Sequence, residues 1–354
     1  MTDLFLKVKV HQGQNLPFVI YSKPGSDEII GLFQVNDHVY LTESFSETGF
    51  VMAPFDGENY VLIPEEHSEI ITEKYELPVI SDEGVVSQDY DETAKQHFEE
   101  LVVKGVAAIH AGHFKKVVLS RKEKVGGTTK DVEHLFPRLL ANYPNAFKYC
   151  FYHPKVGMWM GATPEQLLKV KDYQLQTVAL AGTQLYEGTE AVHWEPKEIE
   201  EQQYVTEFIL DNLKDWASEE KISNPYTARA GNLLHIKTDI SARLNDKESL
   251  KQVLEILHPT PAVCGLPKEA ARNFILENED YDREFYSGFL GELNKNFSTG
   301  RSEHSDLYVN LRCMKIKKEN IHLYIGCGIT KDSVPEKEFF ETFNKSMTMK
   351  KIVT

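Results

Sequence analysis

Apolar residues in the first 80 positions recur in short runs: LFLKVKV, FVIYSK, IIGLFQV, HVYLTES, GFVMAPF and NYVLIP. Alternation with a period of two predicts strands with one buried face, and Pro24-Gly25 and Asp56-Gly57 mark turns between them. From about Gln88 the period lengthens. In DYDETAKQHFEELVVKGVAAIHAG, the residues Phe98, Leu101, Val102, Val106 and Ile109 recur at the spacing of a helix face, and Gly105 weakens that helix. KKVVLSRKEKV then reads as a strand ending in a bend at Gly126-Gly127, and a second helix is expected over about 130–143. FKYCFYHP, GMWMGATP, QLLKV and QLQTVALAGT follow as strands. A long amphipathic helix over about 196–218 leads through an Asn- and Pro-containing linker to strand-like LLHIKTDI. SLKQVLEILHPTPAV is a helix stopped by Pro259 and Pro261, and PKEAARNFILENED is another. FYSGFLGELN, LYVNLRCMKIKK and IHLYIGCGI read as three strands before a last helix from about Pro335 through Met349.

Helices and strands alternate irregularly, and several strands are joined by short turns. That pattern predicts an α+β protein with large, mainly antiparallel sheets. No repeat, low-complexity tract or flexible linker interrupts the 354 residues, so one domain is expected. Hydrophobic residues at 41% and charged residues at 26% exclude a disordered or fibrous chain. The balance of 39 basic and 54 acidic residues leaves a net charge of -15, a surface that repels nucleic acid but permits a locally positive pocket. The four cysteines, Cys150, Cys264, Cys313 and Cys327, form neither a CxxC nor a secreted disulfide pattern. No run approaches the roughly 20 apolar residues of a membrane span, and the N-terminus has no uninterrupted apolar signal core. A cytoplasmic location, with no membrane partner, is expected.

Glu338, Glu341 and Lys345 share one face of the last helix, at i, i+3 and i+7. Two carboxylates one turn apart suit a hard divalent cation, and the lysine suits a substrate carboxylate. An ordinary solvated face has the same spacing, so both readings stand. Glu200 and Glu201 near a helix start read first as dipole-complementing solvated surface; a metal role requires Glu201 to face the Glu341 helix. Lys116 precedes Val117-Val118-Leu119; at a strand edge it reaches solvent, whereas in an apolar pocket it becomes a general base. His113, His153 and His258 are scattered singly, and there is no HExxH. Glu165 follows a strand and a proline, at a pocket mouth or in a capping turn. Ala181-Gly182-Thr183 and Gly326-Cys327-Gly328 allow close backbone approach to a ligand, without the spacing of a phosphate loop. Arg312, read as lying within a strand, calls for a carboxylate from protein or ligand.

Together these segments resemble the chorismate-utilising enzymes, and most closely the isochorismate synthases. The resemblance rests on Lys116 through Arg121, Gly161 through Glu165, Leu180 through Thr183 and Lys197 through Glu201. It continues through His258 to Ala262, Asp282 to Gly288, Arg312, Ile325 to Ile329 and Glu338 to Lys345, in family order over about 95–350. It implies two large antiparallel sheets packed together with helices outside, residues 1–85 being a shortened variable portion. It also implies a Mg²⁺-dependent, reversible conversion of chorismate to isochorismate. Lys116 corresponds to the general base on the water attacking ring C2, and Glu165 to the acid that protonates the departing C4 hydroxyl. Glu201 and Glu341 correspond to Mg²⁺ ligands, and Glu338 to a glutamate acting through the metal's water shell. Arg312, Lys345 and the Gly326-Cys327-Gly328 backbone correspond to groups holding substrate carboxylates, with His258 and Thr183 lining the pocket. Lys116, and Ala181 where the aminodeoxychorismate synthases carry a lysine, favour water as nucleophile. Salicylate synthases share this lysine and are the alternative; menaquinone synthesis is the favoured destination of the product, ahead of siderophore synthesis. The resemblance further implies a monomer or weak homodimer without a glutamine amidotransferase subunit. Gln202 stands where the family usually has histidine, and Cys327 where it has a smaller residue.

Overall fold

Residues 3–76, 89–126, 131–230 and 233–353 are described by the computed structural model, apart from the side chains of Thr183, Leu185, Lys197, Ala230 and Leu233. Among these residues the alternating segments form two large sheets. Sheet A has nine strands in the order Gly265–Leu266, Lys116–Gly126, Asn320–Ile329, Cys313–Ile316, Gly157–Thr163, Phe147–His153, Phe18–Ser22, Glu28–Gln34 and Ser68–Lys74. Sheet B has ten. Its order is Ala217–Ile222, Leu233–Leu244, Gln174–Leu185, Gln166–Lys171, His304–Val309, Phe289–Leu293, Gly49–Ala53, Val61–Pro64 and Tyr40–Leu41, with Tyr226–Ala230 also paired to Leu233–Leu244. The described pairs are antiparallel, as the short connections require.

The helices are α1 (Asp3–Gln14), α2 (Glu92–His110), α3 (Val132–Asn142), α4 (Pro196–Leu213), α5 (Ser249–Leu257), α6 (Lys268–Asn278) and α7 (Pro335–Val353). Tyr21, Phe147 and Trp159 of sheet A meet Phe50, Leu290 and Tyr308 of sheet B in an aromatic core between the sheets. On the outside of sheet A, α1, α3 and the end of α7 bury Leu4, Phe136 and Ile352, while α2, α6 and the start of α7 bury Val102, Ile275 and Phe339. Helices α4 and α5 cover sheet B through Val205, Ile209, Val253 and Leu257. The predicted α+β architecture of two antiparallel sheets with peripheral helices is the observed one.

Three expectations are corrected. LFLKVKV lies in α1 and is not a strand: Leu4, Val8 and His11 are buried on one helical face, while Leu6 and Val10 are exposed. Its alternating pattern was ambiguous because a strand would put Lys7 and Lys9 on one polar face, whereas in α1 Lys9 is exposed and Lys7 half-buried at the rim of the buried face. The helix expected to reach position 218 ends at Leu213, where the chain turns into the edge strand Ala217–Ile222. LYVNLRCMKIKK is two strands, because the chain leaves sheet B after Val309 and enters sheet A at Cys313. The bend at Gly126-Gly127 falls partly outside the described residues. Gly105 has a packing reason: a Cβ there would lie 3.1 Å from Leu119 Cδ1, so its absence lets α2 sit close on sheet A.

A buried ion pair joins the strand that begins at Lys116 to the loops beside it. Arg283 and Glu279, 2% and 1% exposed, form two hydrogen bonds at 2.7 and 2.5 Å. Arg283 also donates to the carbonyls of Val118 at 2.7 Å and Val263 at 3.1 Å, and Glu279 accepts from the backbone N–H of Ser120 at 2.7 Å. Both charges are therefore hydrogen-bonded on several sides, which a buried pair needs to offset desolvation. Glu279→Ala should destabilise the protein by about 3–5 kcal/mol in urea unfolding, because it leaves a buried guanidinium without its counter-ion. A loss below 1 kcal/mol would contradict this role.

Candidate active site

Lys116 opens its strand beneath Gly265 and Leu266, which pair with Val117 and Lys116. Gly265 has φ +142°, and a Cβ on it would lie 2.3 Å from the Lys116 carbonyl oxygen, so this pairing admits only glycine. On the other side the strand pairs with Asn320–Ile329, placing Gly328 opposite Val118 and Gly326 opposite Ser120. Alternation then separates two faces. Val117, Leu119, Cys327 and Ile329 point into the core under α2 and α7. On the opposite face, a Cβ on Gly328 would lie 3.2 Å from Lys116 Cε, and one on Gly326 would lie 2.8 Å from the Tyr286 hydroxyl oxygen. The glycines thus keep a floor open between Lys116 and Tyr286. Cys327 is turned away, its thiol 3.7 Å from the Glu338 carbonyl, so its departure from the family pattern alters the core and not the floor.

Glu165 and Arg312 sit where the chain changes sheets. Gly157–Thr163 belongs to sheet A and Gln166–Lys171 to sheet B, so Pro164-Glu165 is the crossing. Asn310–Arg312 is the reverse crossing, from His304–Val309 to Cys313–Ile316. The two are laced together: Ala162 N–H donates to the Arg312 carbonyl at 3.1 Å, and Val309 N–H donates to the Glu165 carbonyl at 2.9 Å. Arg312 holds φ +46°, a left-handed conformation that a non-glycine residue adopts at a cost of about 1 kcal/mol or more. Its guanidinium, near Tyr286, Glu165 and Glu341, has no hydrogen bond to any described residue. Burial works against its charge, but a guanidinium stays protonated.

The Glu165 carboxyl is likewise without a hydrogen bond among the described residues. Burial pushes its pKa up to about 7, against the opposing pull of Arg312, Lys116 and Lys345. At neutral pH the carboxyl therefore exists in both forms, as a general acid requires.

The acidic residues are paired with the lysines. Lys116 Nζ donates to Glu201 Oε1 at 3.0 Å, and Lys345 Nζ donates to Glu341 Oε1 at 2.6 Å and to the Gly326 carbonyl at 3.1 Å. Burial and the neighbouring Glu341 raise the Glu338 carboxyl, while a hydrogen bond to Ser333 opposes that shift. Among the described residues no three His, Cys, Asp or Glu side chains gather into a ready cation cage. The donors still suit a hard divalent ion, which takes one or two carboxylates with water and substrate oxygens completing its shell. Gln202, beside Glu201, is 2% exposed and donates to Thr238 at 2.7 Å and Thr206 at 2.9 Å. This amide ties α4 to sheet B and so sets which way Glu201 faces.

His258 Nε2 donates to the Pro54 carbonyl at 2.9 Å, and burial lowers its pKa to about 4. The side chain of Thr183 lies outside the described residues. Two site residues had no role in the sequence reading. His235, on Leu233–Leu244, donates from Nδ1 to the Gly182 carbonyl at 2.9 Å and feels Lys116, Lys345 and Glu341; burial keeps it neutral. Tyr286 stacks on Tyr324 with its hydroxyl toward Gly326, unpaired among the described residues. The signal for His235 was a histidine breaking the alternation of LLHIKTDI; Tyr286 lay inside a matched motif with no role attached.

Residues 55–354 match the family model described as chorismate binding enzyme. The chain belongs to the isochorismate synthase and chorismate-utilising enzyme family. It is 30% identical over 262 residues to isochorismate synthase EntC of Escherichia coli strain K12, covering 71% of this chain and 66%, just under two thirds, of that relative. It is 26% identical over 332 residues to anthranilate synthase component 1 of Lactococcus lactis, covering 91% of this chain and 68% of that one. The solved structure of MenF, the menaquinone-specific isochorismate synthase of Escherichia coli, superposes with a TM-score of 0.77 at 22% identity, over 96% of this chain and 89% of that one, which supports the fold. No helix of the described chain is long and apolar enough to cross a membrane.

Two measurements check the site geometry. Because Glu165 holds its proton longer in the folded than in the unfolded chain, its contribution to stability is lost as pH rises from 4.5 through about 7. Glu165→Gln lacks this loss, so its stability relative to wild type should grow by on the order of 3 kcal/mol between pH 4.5 and 8, read by urea unfolding; a constant difference would contradict a raised carboxyl. Gly328→Val should leave melting within a few degrees and lower family turnover at least roughly tenfold, because its side chain enters the space of Lys116. Wild-type turnover would mean the floor is wider than described.

Proposed function

We propose that this protein is an isochorismate synthase, converting chorismate to isochorismate by adding water at C2 and expelling the C4 hydroxyl. The observation that carries this reading is the Glu165 carboxyl, raised to about 7 within electrostatic reach of Lys116 at the start of its strand. Family membership supplies the substrate class, and the EntC relative carries the same activity in its name.

Each side chain then has a distinct task. Lys116 takes the proton of the attacking water, and Glu165 gives one to the leaving hydroxyl. Arg312 and the Tyr286 hydroxyl offer donors to a carboxylate, and the floor of Gly326 and Gly328 lets the ring lie against backbone. A chain of net charge -15 thereby concentrates Arg312 and Lys345 around a dianionic substrate, leaving Lys116 to act as base. The neutral His235 contributes a polar wall without adding charge. Glu201 and Glu341, with Glu338 behind them, would hold Mg²⁺, which supplies electrostatic stabilisation to a ring carboxylate.

Purified protein incubated with chorismate and Mg²⁺ should give a species of unchanged mass that equilibrates with chorismate, resolved by liquid chromatography and mass spectrometry. Salicylate and pyruvate in equal amounts would replace this reading with a salicylate synthase, and no turnover would remove it. Lys116→Ala and Glu165→Gln should each lower turnover by about 10²–10⁴ with folding retained. Chelation should abolish activity reversibly; retained activity would refute the metal assignment.

A further inference from the structure

Lined in part by Glu165, a cavity of about 30 Å³ lies between sheet B, α4 and the loop after α5. Its walls are mostly apolar, including Leu180, Val205 and Phe208, and its polar lining is Glu165, Gln166, Thr177 and Thr260. Gln166 spends an amide N–H on Asp306 at 2.6 Å, and Thr177 spends its hydroxyl on the Leu167 carbonyl at 2.7 Å. Thr260 differs. Its Oγ1 is buried with no hydrogen-bond partner among the described residues. The residue is also rigidly held, since its carbonyl accepts the N–H groups of Val263 and Cys264 at 3.0 Å each. A buried hydroxyl left unpaired is destabilising by about 1–3 kcal/mol, so an orphan kept in a fixed position calls for a partner. The cavity is large enough for a water, which needs roughly 10–15 Å³ and two or more polar neighbours.

We propose that this cavity holds one ordered water between Thr260 Oγ1 and the Glu165 carboxyl, and that this water returns the proton Glu165 releases in each turnover. The second half rests on Glu165 being the proton donor of the proposed reaction. The proton count closes: Lys116 removes one proton from the attacking water and passes it to solvent, while Glu165 gives one to the departing hydroxyl. The Glu165 carboxylate must then take one from solvent before the next cycle. The cavity reaches Glu165 from between sheet B and α4. Thr260 orients the water, making Thr260 a positioning residue. Arg312, Lys116 and Lys345 are the charged groups that face Glu165, and each favours its carboxylate form, so proton return needs a donor at hand.

Two experiments test this. A high-resolution crystal structure of the free protein should show an ordered water within hydrogen-bond distance of both Thr260 Oγ1 and Glu165; an empty or apolar-filled cavity would overturn the proposal. Thr260→Val keeps the side-chain shape and removes the hydroxyl. It should lower kcat roughly tenfold with KM for chorismate within about twofold, raise the solvent deuterium effect on kcat, and be rescued by Thr260→Ser. Wild-type kcat and isotope effect in Thr260→Val would overturn the relay, as would a loss confined to KM. The crystallographic result does not depend on turnover, so failure of the assigned reaction and failure of the water site are read separately.

Discussion

The site depends on one backbone constraint: two antiparallel segments leave one sheet and enter the other side by side. Ala162 to Arg312 and Val309 to Glu165 are the hydrogen bonds that keep the crossings together. Asn310 anchors the second crossing, accepting from Tyr149 at 2.7 Å and donating to the Phe285 carbonyl at 2.8 Å. A strand pair within a sheet must satisfy its polar backbone laterally and point its side chains up or down. At the crossings that geometry is released, and two charged side chains emerge at the corner between the sheets. The left-handed Arg312 is the local strain of this arrangement, and the surrounding hydrogen bonds hold it in place.

Burial and charge then act in opposite directions on the same few groups. The corner is apolar enough to raise Glu165, yet Arg312, Lys116 and Lys345 all pull it down. Burial prevails, which leaves the acid near neutrality instead of permanently ionised. Lys116 and Lys345 are each matched by a glutamate, whereas Arg312 is left to a ligand. The cationic pocket is therefore balanced carboxylate by carboxylate, and the overall negative charge of the chain says little about it.

Much of this was legible in the chain. The change of period near Gln88, the helix of Glu338, Glu341 and Lys345 and the paired glycines at 326 and 328 are local patterns, and local patterns reflect side-chain periodicity. LFLKVKV misled because a short run with lysines at alternate positions satisfies two periods at once, and only the burial of Leu4 and Val8 separates them. LYVNLRCMKIKK misled because nothing within a uniformly apolar run says which sheet each half joins. His235 escaped notice because its neighbours in space, Gly182, Lys116 and Lys345, are remote in sequence.

By itself the sequence determined most element types, though not that of LFLKVKV, together with the antiparallel class and the residues that match the family's motifs, because these follow from spacing and residue chemistry. Tertiary structure decided what those residues face. It turned Cys327 into the core and His258 onto Pro54, and it set Glu201 against Lys116 through a helix held by Gln202. It also brought Thr260 and Glu165, 95 positions apart in the numbering, to one small cavity. Orientation and pKa depend on distances and burial between chain segments that no local pattern encodes, so they exist only once the two sheets have packed.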